Sequence, residues 1–276
     1  MVDFSRLAII AGNRQLPLLL SRRIREQYPT ARIIAVCFKG ETSHLIKKYV
    51  DATYWIDVGQ LSKLRSILNS EKIKQAFMAG QINPLRIFNQ KKWDQELKSL
   101  VKEAGDFRPH TIFCSIINYL KRQGVVFQEL PIILKDDLAR EGVMNGLHLS
   151  ASLEKNVEFG LRVIPGFVEL DIGQTIAVKH SSVVALEALE GTDKAIRRAG
   201  RLAGKDCVIF KFSKTKQDLR FDLPVVGVST LKLLKKIKAS GLVLEAGKVI
   251  LLEKERFLSL AKLWSIPVLG KKTFAR

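Results

Sequence analysis

A chain of 276 residues, 47% hydrophobic and 26% charged, is composed to fold, and it is longer than one ordinary core requires, which predicts two domains. Forty-six Lys and Arg against 27 Asp and Glu leave a formal charge of +19, so the expected partner is anionic: nucleic acid, an acidic membrane surface or a phosphate-bearing substrate. Cys37, Cys114 and Cys207 make no CxxC pair and no disulfide framework. No signal-peptide pattern opens the chain and no apolar run is long enough to span a bilayer, so a reducing, cytoplasmic setting is expected.

The first half alternates between two periods. Residues 7–11 form an apolar, strand-like run broken at Gly12. Pro17 then suits an early helical position, and Leu16, Leu19, Leu20 and Ile24 follow at helical spacing. Residues 33–38, 53–56 and 76–79 read as further strands. Helices are predicted over 61–68, 94–103 and 111–122. Strands alternating with helices mean βαβ units and a parallel sheet covered on both faces. The pattern loosens between 131 and 146. The domains are therefore set at 1–132, a Rossmann-like parallel α/β domain, and 133–276, a mixed α/β domain.

Leu149, Leu153, Val157, Leu161 and Ile164 open the second half as a helix. Residues 172–179 and 183–189 flank His180, Ser181 and Ser182 as a β-hairpin. Helices over 193–203, 230–239 and 256–264 alternate with strands over 207–212, 242–244, 249–252 and 266–269. The basic end, residues 271–276, is expected to be disordered.

Three glycine–amide groups follow predicted strands: Gly12 with Asn13, Gly59 with Gln60, and Gly80 with Gln81. Ligands of open parallel sheets bind at the carboxyl ends of the strands. The glycines would open a crevice there, and the amides would offer neutral hydrogen bonds to a sugar, a uracil or an acyl amide. Only one glycine stands in the first turn, so the dinucleotide fingerprint GxGxxG is absent and a nicotinamide-dependent oxidoreductase is disfavoured. A plain tight turn explains Gly12 equally well.

In a chain short of carboxylates, Glu187, Glu190 and Asp193 gather in EALEGTD, and Asp218 and Asp222 flank Arg220 in KQDLRFDLPVVG. Pro224 and the interleaved Leu219, Phe221 and Leu223 predict an extended segment, whose alternation would set Asp218, Arg220 and Asp222 on one face. Such a stripe suits charge-assisted contacts to a phosphate and its metal ion, with Arg197 and Arg198 nearby as anion holders. The ordinary alternatives are solvated loop acids, and a helix N-cap at Thr192 or Asp193. The four histidines form no HxxxH or HExxH pattern, which argues against zinc.

Taken in order, AGN followed by LP, then DVGQL, MAGQI, EGV, DIGQ, EALEGTD, KQDLRFDLPVVG and EAGKVILLEK resemble the UDP-2,3-diacylglucosamine pyrophosphatase family of the non-metallophosphoesterase type. The resemblance runs from about Leu7 to Gly270. It implies a Mg2+-dependent enzyme of lipid A biosynthesis that hydrolyses UDP-2,3-diacylglucosamine to UMP and 2,3-diacylglucosamine 1-phosphate. It further implies a cytoplasmic protein acting on a lipid-linked nucleotide sugar and peripherally associated with the anionic inner-membrane surface.

Position by position, the resemblance makes Asp218 and Asp222 the candidates for the essential acid, with Arg220 beside them. It matches Ala11–Asn13 and Glu190–Asp193 to family segments; with the strand-end residues and arginines read above, the candidates for substrate are Gly12, Asn13, Gln60, Gly80, Gln81, Gly191, Thr192 and Arg197, and for the metal Glu190 and Asp193. This chain carries Phe107 after Gly105 and Asp106, where the family commonly has a second acid. The charge keeps a basic nucleic-acid-binding α/β protein as the alternative. However, no RNP, zinc-finger or KH signature accompanies it, and no nucleic-acid partner is expected. Whether the chain forms a homodimer is left open.

Overall fold

The computed structural model describes residues 2–83, 86 and 89–272; residues 273–276 of the basic tail lie outside the described residues. The chain divides into two compact units. The first comprises Met1–Ile133 with Leu219–Phe221, and the second comprises Leu134–Asp218 with Asp222–Arg276.

In the first unit, β1 (Arg6–Ala11), β2 (Arg32–Phe38), β3 (Ala52–Ile56), β4 (Gln75–Ala79) and the short β5 (Val126–Phe127) form one sheet in the order β3-β2-β1-β4-β5. Every pairing is parallel. β1 and β2 are buried on both faces, hence their unbroken apolar sequence. The order reverses between β1 and β4, and the carboxyl ends of strands at such a reversal are where open sheets bind ligands. The helix α1 (Leu16–Gln27) turns Leu16, Leu19, Leu20 and Ile24 inward, with Pro17 in its first turn. α2 (Leu61–Ser70), α3 (Gln95–Ala104) and α4 (Pro109–Arg122) complete the cover. Asp94 caps α3 by accepting from Leu97 N at 2.9 Å, and its other oxygen takes Ser62 N and Oγ at 2.7 Å, which ties α2 to α3.

The second unit begins with α5 (Pro131–Leu134), whose last residue it holds, and β6 (Gly142–Val143). α6 (Ala151–Glu169) is capped by Ser150 and continues through Pro165, beyond the helical pattern legible in the sequence. β7 (Thr175–Lys179) and β8 (Ser182–Leu186) form the expected hairpin, with His180 and Ser181 both at positive φ in its turn. α7 (Thr192–Ala203), β9 (Val208–Lys211), β10 (Val225–Val226), α8 (Val228–Lys236), β11 (Gly241–Glu245), β12 (Ile250–Leu251), α9 (Lys254–Leu263) and β13 (Val268–Lys271) follow.

The six-stranded sheet has the order β6-β13-β11-β9-β7-β8, with β9, β11 and β13 parallel and the rest antiparallel. β10 and β12 form a separate parallel pair. The fold is thus mixed α/β, with a five-stranded all-parallel sheet, a six-stranded mixed sheet and the small parallel pair. Among the described residues, no helix is long and apolar enough to cross a membrane.

One local expectation is corrected. Residues 218–222 are not extended. They form a turn closed by Asp222 N donating to Asp218 O at 2.9 Å, so strand alternation does not set their side chains. Leu219 and Phe221 win over the alternating pattern because each has its own anchor in the first unit. Leu219 O accepts from Leu130 N at 3.0 Å, and the Phe221 ring lies 5.6 Å from those of His110 and Phe113.

Candidate functional sites at two sheet edges

At the carboxyl edge of the first sheet, the loops after β1 and β4 are bonded to each other. Gly12 N donates to Ala79 O at 2.8 Å, and Asn13 N to Gln81 O at 2.7 Å. A Cβ on Gly12 would lie 2.4 Å from Gln81 O, and one on Gly80, whose φ is +89°, would lie 2.5 Å from Asn13 O. The two glycines therefore let two backbones touch; they do not open a crevice, because each fills the space above the other. Gln60 is remote from this pair in role. It precedes α2, and its Oε1 accepts from Asp57 N at 2.9 Å. Gln81 leaves its side chain exposed.

Around Asn13 the polar groups converge. Its Nδ2 donates to Glu41 Oε2 at 2.6 Å. The Glu41 side chain is 3% exposed and pairs through Oε1 with Arg86 Nε at 3.0 Å. Arg86 also donates to Lys39 O at 2.6 Å. The Thr42 hydroxyl donates to Ala11 O, and Phe38 N donates to that hydroxyl at 2.9 Å. Asn13 Oδ1 is buried and has no hydrogen-bond partner among the described residues. Beside this cluster a cleft of about 290 Å³ is lined by Asp57, Val58, Arg86, Asn89 and Lys92. Two cations and an amide in one concave wall, at a sheet's carboxyl edge, suit an anionic polar ligand.

The second unit repeats the arrangement with different residues. Gly191, at φ +81°, precedes α7, and no side chain caps that helix, so neither Thr192 nor Asp193 is its N-cap. The Thr192 hydroxyl faces the Glu187 carboxylate at 3.1 and 3.2 Å, and accepts from Lys211 Nζ at 2.8 Å and from Thr175 Oγ1 at 3.4 Å. Glu190 is ion-paired with Arg198 and accepts from Ala188 N at 3.0 Å. Its own backbone N–H, then Arg198, hold the carboxyl below the usual range. Asp193 and Arg197 are exposed on the first turns of α7. Asp218, Arg220 and Asp222 are each half-buried in their turn.

Two charged residues escaped the sequence reading. Lys211, 8% exposed, ends β9. Glu245 ends β11, where its Oε2 accepts from Ser213 N at 2.8 Å and from the Ser213 hydroxyl, and Oε1 pairs with Lys248 at 2.8 Å. Their signal was present: each is a charge at the last position of a buried apolar strand, which places it at the sheet's carboxyl edge. Gln217 belongs to the same neighbourhood. Its Oε1 accepts from Lys214 N at 2.8 Å and Gln174 Nε2 at 3.1 Å, while its buried Nε2 has no partner among the described residues.

These observations define an α/β protein of two units, each with a buried polar cluster at the carboxyl edge of its sheet. Residues 6–136 match the family model described as the LpxI N-terminal domain, and residues 140–269 match that of the LpxI C-terminal domain. The chain belongs to the LpxI family. A relative from Caulobacter vibrioides, named UDP-2,3-diacylglucosamine pyrophosphatase LpxI, is 24% identical over 279 residues, covering 96% of this chain and 97% of its own.

Solved structures are far more distant. The biotin carboxylase–β,γ-ATP complex from Campylobacter jejuni shares 12% identity at a TM-score of 0.30, over 73% of this chain and 42% of that one. The biotin carboxylase domain of thermophilic 2-oxoglutarate carboxylase bound to ADP shares 12% at a TM-score of 0.28, over 63% and 35%. Scores of this size carry neither fold nor activity across.

Proposed function

We propose that this chain hydrolyses the pyrophosphate bond of UDP-2,3-diacylglucosamine, releasing UMP and 2,3-diacylglucosamine 1-phosphate. The observation that carries the reading is the end-to-end match, in order, to both domain models of one family, together with a relative of that activity aligned over nearly the whole of both chains. The polar sheet edges support it. Arg86 and Lys92 in the first-unit cleft provide cations for phosphate oxygens, and Asn13, Gln60 and Gln81 provide neutral groups for uracil or sugar.

The family reading brings Mg2+, a hard cation that takes oxygen ligands. The carboxylates differ in their fitness for it. Both oxygens of Glu190 are taken, one by Ala188 N and the other by Arg198 of α7, and Asp193 stands exposed on that helix. Asp218 and Asp222 open and close a single turn, and two carboxylates that near in the chain are an oxygen donor set of the kind the ion takes. Mg2+ held there would neutralise charge on the pyrophosphate and polarise a phosphoryl oxygen. The protein's own part follows from charge and position. Arg220 in the same turn holds non-bridging oxygens, and one carboxylate of the Asp218–Asp222 turn orients the attacking water and takes its proton.

Incubation of the purified chain with UDP-2,3-diacylglucosamine and Mg2+, followed by chromatography for UMP, tests the reading. UMP release that stops on chelation is expected. No UMP from a folded sample at any divalent ion would overturn the assignment.

A further inference from the structure

The turn after β2 carries a buried carboxylate to which the proposed reaction gives no part. Glu41 accepts through Oε2 from Asn13 Nδ2 at 2.6 Å and from Asn83 N at 3.3 Å, and pairs through Oε1 with Arg86 Nε at 3.0 Å. Its turn is fixed to the end of β1. Glu41 N and Thr42 N donate to Phe38 O at 3.1 and 3.0 Å, and the Thr42 hydroxyl donates to Ala11 O. Asn13 is fixed from the other side, where its N–H donates to Gln81 O at 2.7 Å. The two backbones are thus set by the fold, and Glu41 acts on the side-chain amide of Asn13.

A carboxamide keeps almost the same shape when it is turned over, so only its hydrogen bonds decide where its oxygen and nitrogen stand. Turned over, Asn13 would set Oδ1 against Glu41 Oε2 across the 2.6 Å that a hydrogen bond now spans. A carboxylate ion-paired with Arg86 only accepts, which excludes that orientation. Asn13 therefore presents Oδ1 as an acceptor, and this atom is buried with no hydrogen-bond partner among the described residues. A buried acceptor calls for a donor. Nδ2 has a second hydrogen besides the one given to Glu41, so one amide offers an acceptor next to a donor.

That orientation distinguishes pyrimidines. Uracil offers N3–H as a donor beside O4 as an acceptor. Cytosine offers the reverse, an unprotonated N3 beside an amino group, so reading it in the same pose requires the amide turned over. Arg86 and Lys92 line the adjoining cleft, with cations for a nucleotide's phosphate. We infer that Glu41 is a positioning residue that makes the first-unit site selective for uridine over cytidine nucleotides, by holding the Asn13 amide in one orientation. The inference rests on the uridine-nucleotide substrate proposed above and adds which base is refused and which residue enforces it.

Calorimetric titration of the full chain with UMP and with CMP is the experiment. Wild type is expected to bind UMP about tenfold or more tightly than CMP, and UMP methylated at N3 should fall to the level of CMP. Glu41→Gln, whose own amide can turn over together with that of Asn13, should bring UMP and CMP within about threefold of each other. Glu71→Gln is the structural control. Glu71 holds Arg32 at 3.0 Å and the Tyr54 hydroxyl in the same unit, so its loss should lower the melting temperature and leave the base preference as in wild type. Asn13→Ala should also abolish the preference, and it keeps the test open if Glu41→Gln fails to fold. Equal binding of UMP and CMP by wild type, full binding of the N3-methylated nucleotide, an undiminished preference in Glu41→Gln or Asn13→Ala, or no binding of either nucleotide would overturn the inference. UMP release from UDP-2,3-diacylglucosamine, measured on the same samples, keeps a failure here distinct from a failure of the reaction.

Discussion

Asp106 shows what a single carboxylate does for its element. It accepts from Arg108 N at 2.8 Å and from Thr111 Oγ1 at 2.8 Å, and pairs with Arg108 Nε, all at the entrance to α4. The backbone bond from Arg108, then Thr111 and the guanidinium, push its pKa down to about 2. An unfolded aspartate titrates at about 3.9. The folded value is the lower one, so the bonds stabilise the fold fully above about pH 4, and that contribution is lost as pH falls through about 2. Carboxyl NMR should follow Asp106 to an apparent value near 2, and an ordinary value would show that the bonds do not persist in solution. The acid is thus occupied in starting a helix, which gives Asp106 a structural task independent of the acid that Phe107 replaces. Asp218 and Asp222 are different: each sits at an end of a turn whose Leu219 and Phe221 are anchored in the first unit. Asp218→Ala and Asp222→Ala are expected to leave the protein folded, and at least one should lower turnover on the order of 100-fold or more. Near-normal rates in both would remove that turn from the site.

At the scale of elements, α6 is seated closely on its sheet. A Cβ on Gly160 would lie 2.1 Å from Phe210 Cζ, and Phe210 is fully buried in β9. Gly160→Ala gains about 1 kcal/mol in helix propensity, but overpacking of this kind costs about 1–3 kcal/mol, and a ring held on every side cannot yield. Denaturant unfolding should therefore show a net loss of stability, and a more stable variant would mean that helix and sheet separate easily. Long elements such as β1, α1 and α6 were legible in the sequence because burial on one or both faces leaves a period over many residues. β5, β6 and β10 were not, since two residues have no period; β12, equally short, was found only because it lies in the apolar run 249–252. The turn at 218–222 was misread for a related reason. Alternation over five residues mimics a strand, and only tertiary anchors reveal that Leu219 and Phe221 are held separately. The acidic loop after β8 was found from its composition, yet its hydrogen bonds tie Glu187 to Thr192 and Glu190 to Arg198, a pairing that spacing alone does not give. Lys211 and Glu245 were passed over because a single charge in an apolar run looks like an interruption until the sheet's direction is known.

For the whole molecule, the +19 charge suits a phosphate-bearing substrate, and for the pyrophosphate proposed above it does not choose which phosphorus is attacked. The bond that forms is water oxygen to phosphorus, and the bond that breaks is the bridging P–O. Attack at the phosphorus nearer the sugar leaves UMP with its original oxygens and puts the new one in the sugar 1-phosphate. Attack at the phosphorus nearer uridine does the reverse. The resemblance to the pyrophosphatase family leads to the first route as the expected outcome. Turnover in oxygen-18 water, with both products weighed by mass spectrometry, separates them. The sugar 1-phosphate should gain two mass units and UMP none, and label in UMP would place the attacking water on the uridine side. Excess chelator should stop label entering either product. Continued incorporation would show that the protein's own carboxylates and arginines suffice, and would take Mg2+ out of the reaction while leaving the choice of phosphorus as measured.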